Sequence, residues 1–292
     1  MPIVGWFDIG RGKVREFDTE LDWHDCPIGI EMLLSLKQSI QSDRDHQGTA
    51  LTTTTCMSPT RKVILERFFP IYADPEDLIS AHIGSLVHER LQGILEDLGY
   101  STDHATAEFA RGIVLQGAAD GWMIDPPKNQ PNVVELKITT SGSLRYILED
   151  GAAKSDHICQ TNVNRHLIAR SLGVDPSSLT AEIRYYVMRQ KEKMKGLGYV
   201  RIQPAARFAV PFWPVEQILE YHPGGKFEDG SPTFEQNMLS THAAFTAIES
   251  GADPKEIVSR LPCQCGTLFS KTGKNYCDSR RLCENLSTGI RE

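Results

Sequence analysis

The run Val133-Val134-Glu135-Leu136-Lys137-Ile138 constrains the fold more than any other stretch of the chain. It is short and apolar, which marks a strand, yet it carries one acid and one base. Side chains alternate faces along a strand, so Glu135 and Lys137 share one face while Val134, Leu136 and Ile138 take the other. Upstream, Gly117-Ala118-Ala119-Asp120 reads as a strand end running into an Asp120-Gly121 turn, a hairpin signal. If the two strands pair, Asp120 and Glu135 converge at one end of the sheet. Two carboxylates beside a lysine on otherwise apolar strands are costly unless the charge is compensated, and a hard divalent cation compensates it. Each feature also has an ordinary explanation. Asp before Gly is a common turn residue, and Glu-x-Lys on a strand is commonly a solvated ion pair.

Around this run the pattern is one of helices flanking strands. Residues 1–20 alternate weakly about Gly10-Arg11-Gly12 and predict a hairpin, and Asp25 to Ile40 predicts a helix with Pro27 in its first turn. A polar linker, 41–55, leads through Cys56 to a helix carrying Arg61, Lys62 and Arg67. The clearest helix follows, capped by Asp74 with Pro75 at its first position. Ile79, Ile83, Leu86, Val87, Leu91, Ile94, Leu95 and Leu98 form its core-facing stripe, with His88 at the stripe's edge one turn after Gly84. A histidine there is either a satisfied core residue or a ligand, and the nearby glycine leaves room for another group to approach.

Strands are predicted at 105–110, 113–120 and 132–138, then helices at 143–149 and 154–172. On the longer of these helices Cys159, Val163 and Leu167 make an apolar stripe flanked by His157, Gln160 and Asn164. A further strand, 181–188, enters the basic loop 189–195, either a solvated hairpin tip or a DNA contact. Its partner is 199–202 or 207–210. Helices are predicted at 213–221 and 234–250. This order implies an α/β (α+β) chain with a mixed central sheet flanked by helices, an N-terminal helical region and a C-terminal cysteine-rich segment. No phosphate-binding glycine fingerprint is present, which argues against a kinase or an ATPase.

The chain has 292 residues, 40% of them hydrophobic and 24% charged, which is ordinary for a globular protein. No apolar run approaches the roughly 20 residues that span a bilayer, and the start lacks a signal-peptide pattern. The expectation is a cytoplasmic protein with no membrane partner. A net charge of −7 argues against a protein that coats nucleic acid by bulk electrostatics, but a nuclease needs only a local basic lining.

Seven cysteines in a reducing compartment point to metal ligation or buried thiols rather than disulfides. Cys263, Cys265, Cys277 and Cys283 crowd the C-terminal end, a density suited to zinc or an iron–sulfur cluster. Alone, these four make a zinc knot. Alternatively, Cys56 joins three of them around an iron–sulfur cluster. Cys26 and Cys159 read as buried thiols.

With these pieces in order, the chain resembles the RecB-like branch of the PD-(D/E)XK nucleases, and most of all the CRISPR-associated "Cas four" iron–sulfur exonucleases and AddB-type nuclease domains. The matching positions are Cys56 with Arg61 nearby, Gly84 to His88, Gly117 to Asp120, Glu135-Leu136-Lys137, Gln160 and the C-terminal cysteines. They span about residues 50 to 285, which the resemblance makes a nuclease domain (51–285) after an accessory hairpin and helix (1–50) and before a tail (286–292). The resemblance implies a PD-(D/E)XK core in which His88, Asp120, Glu135 and the Leu136 carbonyl hold Mg²⁺ or Mn²⁺. Lys137 would position or help deprotonate the attacking water, and Gln160 would support the site or the substrate. It implies a [4Fe-4S] cluster on Cys56, Cys265, Cys277 and Cys283, with Cys263 competing with Cys265 and Zn²⁺ as the alternative metal.

The implied activity is hydrolysis of single-stranded DNA or DNA ends, in CRISPR adaptation, phage or recombination processing. A CRISPR integrase complex or a helicase is then the partner. An accessory subunit that binds DNA ends with little activity of its own is the alternative. Two departures stand out. Asn164 occupies the tyrosine position of the family's Gln-x-x-x-Tyr motif, which leaves Asn164 and Arg61 as substrate-binding candidates. Where the family reads Cys-x2-Cys-x5-Cys, residues 266–276 here separate Cys265 from Cys277.

Overall fold

The computed structural model describes residues 3–8, 13–16, 49–69, 71–73, 75–191, 199–224 and 231–261. Several expectations fall outside them: the helix at 25–40, Cys26, the Asp74 cap, and all of Cys263, Cys265, Cys277 and Cys283. In chain order the elements are β1 (Ile3–Asp8), β2 (Lys13–Glu16), α1 (Thr53–Cys56), α2 (Thr60–Phe68), β3 (Ile71–Ala73) and α3 (Pro75–Asp97). There follow β4 (Ala105–Ala110), β5 (Ile113–Gly117), β6 (Gly121–Trp122), β7 (Val133–Thr140), α4 (Ser141–Asp150) and α5 (Ser155–Leu172). The last are β8 (Ala181–Lys191), β9 (Tyr199–Ala209), α6 (Val215–Leu219), α7 (Phe234–Glu249) and α8 (Pro254–Arg260). Among the described residues no helix is long and apolar enough to cross a membrane.

The chain divides into two compact units. One comprises Met1–Leu51, Thr55–Ile83 and His222–Glu292; the other comprises Thr52–Thr54 and Gly84–Tyr221. In the first, β1 pairs antiparallel with β2, as the predicted hairpin requires, and parallel with β3. Here α2 meets α7 through Phe68 and Phe245, whose rings lie edge to face 6.2 Å apart. A capping box starts α7, with the Thr233 side chain and Gln236 each bonding the other's backbone N–H.

The second unit holds the predicted mixed sheet, in the order β6-β7-β8-β9. Its centre is parallel: β7 and β8 run in register from Val133↔Ala181 to Thr140↔Met188. The outer pairs are antiparallel. Parallel neighbours need a crossover, and α4 and α5 supply it. Val134 and Leu136 point to one face of β7, where they pack with Leu95 and Tyr100 and with the partly buried Leu91 and Met123. From α3, Leu91 and Leu95 cover that face, whereas Leu86, Ile94 and Leu98, which the spacing placed in the core-facing stripe, are exposed. On α5, Cys159, Val163 and Leu167 are fully buried, as their spacing predicts, and Gly173 ends the helix in the left-handed conformation (φ 68°).

Three sequence expectations need correction. The chain does not reverse at Asp120-Gly121, because β5 ends at Gly117 and belongs to a separate two-stranded sheet with β4. The tight turn lies at Arg111 and Gly112, both at positive φ, and Gly121 instead opens the short strand β6. The two alternative partners of β8 are one long strand, β9. The basic loop also begins later than expected, since Arg189, Gln190 and Lys191 still pair with β9.

Candidate functional site

The site grows out of a shortened strand. β6 pairs with β7 only at Gly121↔Val134 and Trp122↔Val133, so beyond Val134 this edge of β7 has no neighbouring strand. The next outward backbone group is Leu136 N–H, and it donates to Asp120 Oδ2 in place of a ladder bond. The Leu136 carbonyl leaves the strand on the same edge, because a strand residue presents its N–H and C=O to one side. Asp120 is thereby fixed beside Glu135, although the two are far apart in sequence.

Helix α3 completes the other side of Asp120. Its core contacts Leu91 and Leu95 lie one and two turns after His88, so the packing that buries Leu95 also delivers His88. His88 Nε2 lies 2.9 Å from Asp120 Oδ1, and Gln92, one turn further on, donates to the same oxygen at 3.3 Å. Sequence reading missed Gln92, though its spacing of four from His88 was a usable signal. The hydrogen bond to Asp120 raises the His88 pKa against the opposing effect of burial. No described atom lies within 4 Å of where a Gly84 Cβ would sit, so no other backbone closes on His88 there.

Glu135 and Lys137 share a face of β7, as alternation dictates. Glu135 is 2% exposed, and its Oε1 accepts from Lys137 Nζ at 2.7 Å. Lys137 Nζ also donates to Gln160 Oε1 at 2.9 Å, so α5 holds the amine from the far side. The second carboxylate oxygen, Glu135 Oε2, is buried and meets no hydrogen-bond partner among the described residues. Burial pushes the Glu135 carboxyl up to about 7, with the Lys137 charge opposing and the Asp120 charge adding to the rise. The folded pKa is thus above the unfolded one. This contribution to the stability of the metal-free chain is complete below the ordinary carboxylate range and is lost as pH rises through about 7.

Asn164 does not line the site. It is 1% exposed, donates to the Ala118 carbonyl at 2.9 Å, and accepts from Thr53 Oγ1 at 3.0 Å. It pins the segment leading to Asp120, a structural role for a residue that the resemblance made a substrate-binding candidate. Gly117 lies beside it, and a Cβ there would lie 2.6 Å from Asn164 Oδ1 and 2.7 Å from Leu167 Cδ1, so these side chains would have to shift. Gly117→Ala should destabilise the chain by about 1–3 kcal/mol, read in a urea melt, because buried side chains must repack to admit the methyl group.

Arg61 is also held within the protein. It is 6% exposed, and its Nη1 donates to the Val258 and Leu261 carbonyls at 3.0 and 2.7 Å, closing the end of α8. Cys56 is fully buried, and burial pushes its thiol up to about 12. Its proposed co-ligands all lie outside the described residues.

Among the described residues no three His, Cys, Asp or Glu side chains stand together as a ready-made metal shell. His88 and Asp120 are bonded to each other, and the fourth candidate donor is a backbone carbonyl. What fits a cation is the chemistry of the donor set. Two buried carboxylates, one with an oxygen lacking any partner among the described residues, lie beside a lysine and a histidine that Asp120 draws toward the charged form. Oxygen-rich sites of this kind suit Mg²⁺ and Mn²⁺, and the imidazole is better tolerated by Mn²⁺.

Comparison with protein-family models, with curated proteins and with solved structures returns no match to this chain.

Proposed function

We propose that this chain is a divalent-metal-dependent deoxyribonuclease built on a PD-(D/E)XK core, an exonuclease acting on single-stranded DNA or DNA ends. The observation that carries the reading is the buried Glu135 Oε2, without a partner among the described residues, beside Asp120 and Lys137. The topology supports it: a strand bearing Glu-x-Lys lies between a short antiparallel strand led by Asp120 and a parallel strand reached through helices. His88, Asp120, Glu135 and the Leu136 carbonyl would hold Mg²⁺ or Mn²⁺. When bound, the cation supplies Lewis-acid stabilisation of the charge that builds on the scissile phosphate.

The chain's own groups do the rest. Water attacks phosphorus, the P–O bond to the leaving nucleotide breaks, and the water's protons pass to solvent and to the departing oxygen. Lys137 orients the water and offsets the phosphate charge, and Gln160 keeps its amine from swinging away. Glu135 must be ionised to bind the cation. Apparent Mn²⁺ affinity should therefore rise as pH increases through about 7, which calorimetry at a series of pH values measures.

A cysteine centre belongs to the same reading, formed by Cys56 with Cys265 or Cys263, Cys277 and Cys283 around [4Fe-4S]. A thiol pushed up to about 12 becomes a ligand only where a metal displaces its proton. The colour of anaerobically purified protein separates this from a zinc knot of Cys263, Cys265, Cys277 and Cys283. The burial of Asn164, which leaves no stacking residue in the motif, favours a second reading as an end-binding subunit of a CRISPR integrase or helicase complex. Incubation with labelled single-stranded DNA and Mn²⁺ separates the two. Turnover by the isolated chain supports the nuclease, and binding without turnover supports the subunit.

A further inference from the structure

A second pair of side chains borders Lys137 and has no part in the reading above. Tyr185 is the register partner of Lys137 on β8, and it is 1% exposed. Its hydroxyl lies 2.7 Å from His157 Nδ1 and accepts the Lys154 backbone N–H at 3.2 Å. The rings of His157 and Tyr185 lie 5.6 Å apart at 36°. His157 is one turn before Gln160 on α5, and Gln160 is the residue that grips Lys137. The His157–Tyr185 pair therefore sits at the edge of the site where the lysine is held.

The hydrogen bonds fix the tautomer. With one lone pair of the Tyr185 oxygen taken by Lys154 N–H, the hydroxyl proton has a single acceptor among its described partners, His157 Nδ1. The reverse arrangement would leave that proton buried without a partner, which is costly. His157 thus accepts at Nδ1 and carries its proton on Nε2. Burial and the neighbouring charges of Lys137 and Lys154 keep the ring neutral, its pKa pushed down to about 3. Its Nε2 meets no hydrogen-bond partner among the described residues, and the side chain is only half-buried.

A neutral, half-buried donor held one turn from the residue that grips the lysine suits an anion that passes the lysine and continues along the protein. We propose that His157 Nε2–H is a substrate contact, donating to a non-bridging phosphate oxygen of the nucleic-acid strand engaged by Lys137. Tyr185 is its positioning residue. The inference rests on the nuclease reading and names a contact for that same site.

Binding of a fluorescein-labelled single-stranded thymidylate oligonucleotide is measured with Ca²⁺ replacing Mn²⁺, and turnover is measured separately with Mn²⁺. His157→Phe keeps a planar ring but no donor. It should weaken binding about tenfold and raise KM by a similar factor, with kcat within about twofold, as loss of one hydrogen bond to a charged group predicts. His157→Gln, which returns an N–H near the Nε2 position, should recover most of the loss. Nitrogen-15 correlation spectra of the parent should show His157 as the Nε2–H tautomer, with a shift on adding the oligonucleotide. Unchanged binding and KM in a folded His157→Phe, or an Nδ1–H tautomer, overturns the proposal and leaves the nuclease reading standing. A parent chain that neither binds nor cleaves the oligonucleotide, with the tautomer as stated, overturns both.

Discussion

Asp120→Ala should reduce Mn²⁺-dependent cleavage by about a thousandfold or more, because in the proposed nuclease it removes a metal ligand and with it several kcal/mol of transition-state stabilisation. The side chain has two tasks, which the substitution removes together. One oxygen receives the Leu136 N–H that β6 is too short to satisfy, and the other meets His88 Nε2 and Gln92. Losing the first leaves a buried N–H unpaired, so Asp120→Ala should also cost about 1–3 kcal/mol of stability. Asp120→Asn separates the tasks. Its carbonyl can still accept from Leu136, so the fold should hold within about 1 kcal/mol while cleavage stays lost. Comparing urea midpoints with single-turnover rates for both variants checks the division.

Lys137→Ala should lower turnover by about a hundred- to ten-thousand-fold, the usual range for a group that acts on the proton or charge of the transition state. The amine is held between Glu135 Oε1 and Gln160 Oε1. Without it, Glu135 keeps its burial and the Asp120 charge but loses the cation that opposes them, so its pKa should climb further. Mn²⁺ binding in Lys137→Ala should then need higher pH than in the parent. Oligonucleotide binding at high pH should survive better than turnover, which separates a chemical role from a merely structural one.

Much of this arrangement was written in local pattern. Alternation placed Glu135 and Lys137 on one face, and the spacing on α3 put His88 beside its apolar stripe. The stripe of α5 carried Gln160 toward the lysine. What local pattern could not supply was the manner in which Asp120 arrives. The Asp-Gly pair reads as a hairpin turn by its chemistry, yet Arg111 and Gly112 make the tight turn. Asp120 is held instead by a backbone donor that exists only because β6 stops early.

Asn164 and Arg61 show the same limit from the other side. Both have side chains fit for a substrate, yet each is buried and donates to a backbone carbonyl from a distant segment, which no local pattern announces. The His157–Tyr185 pair was half legible: His157 lay on the correct flank of α5, but the register that sets Tyr185 opposite Lys137 is a property of the sheet.

The account depends on Asp120 and Glu135 serving one hard cation. Titrating Mn²⁺ into the metal-free chain at pH above 7, with free Mn²⁺ followed by electron paramagnetic resonance, tests this directly. The parent should remove Mn²⁺ from solution, and Asp120→Asn and Glu135→Gln should each abolish that uptake while remaining folded. Uptake by both variants equal to that of the parent would contradict the account.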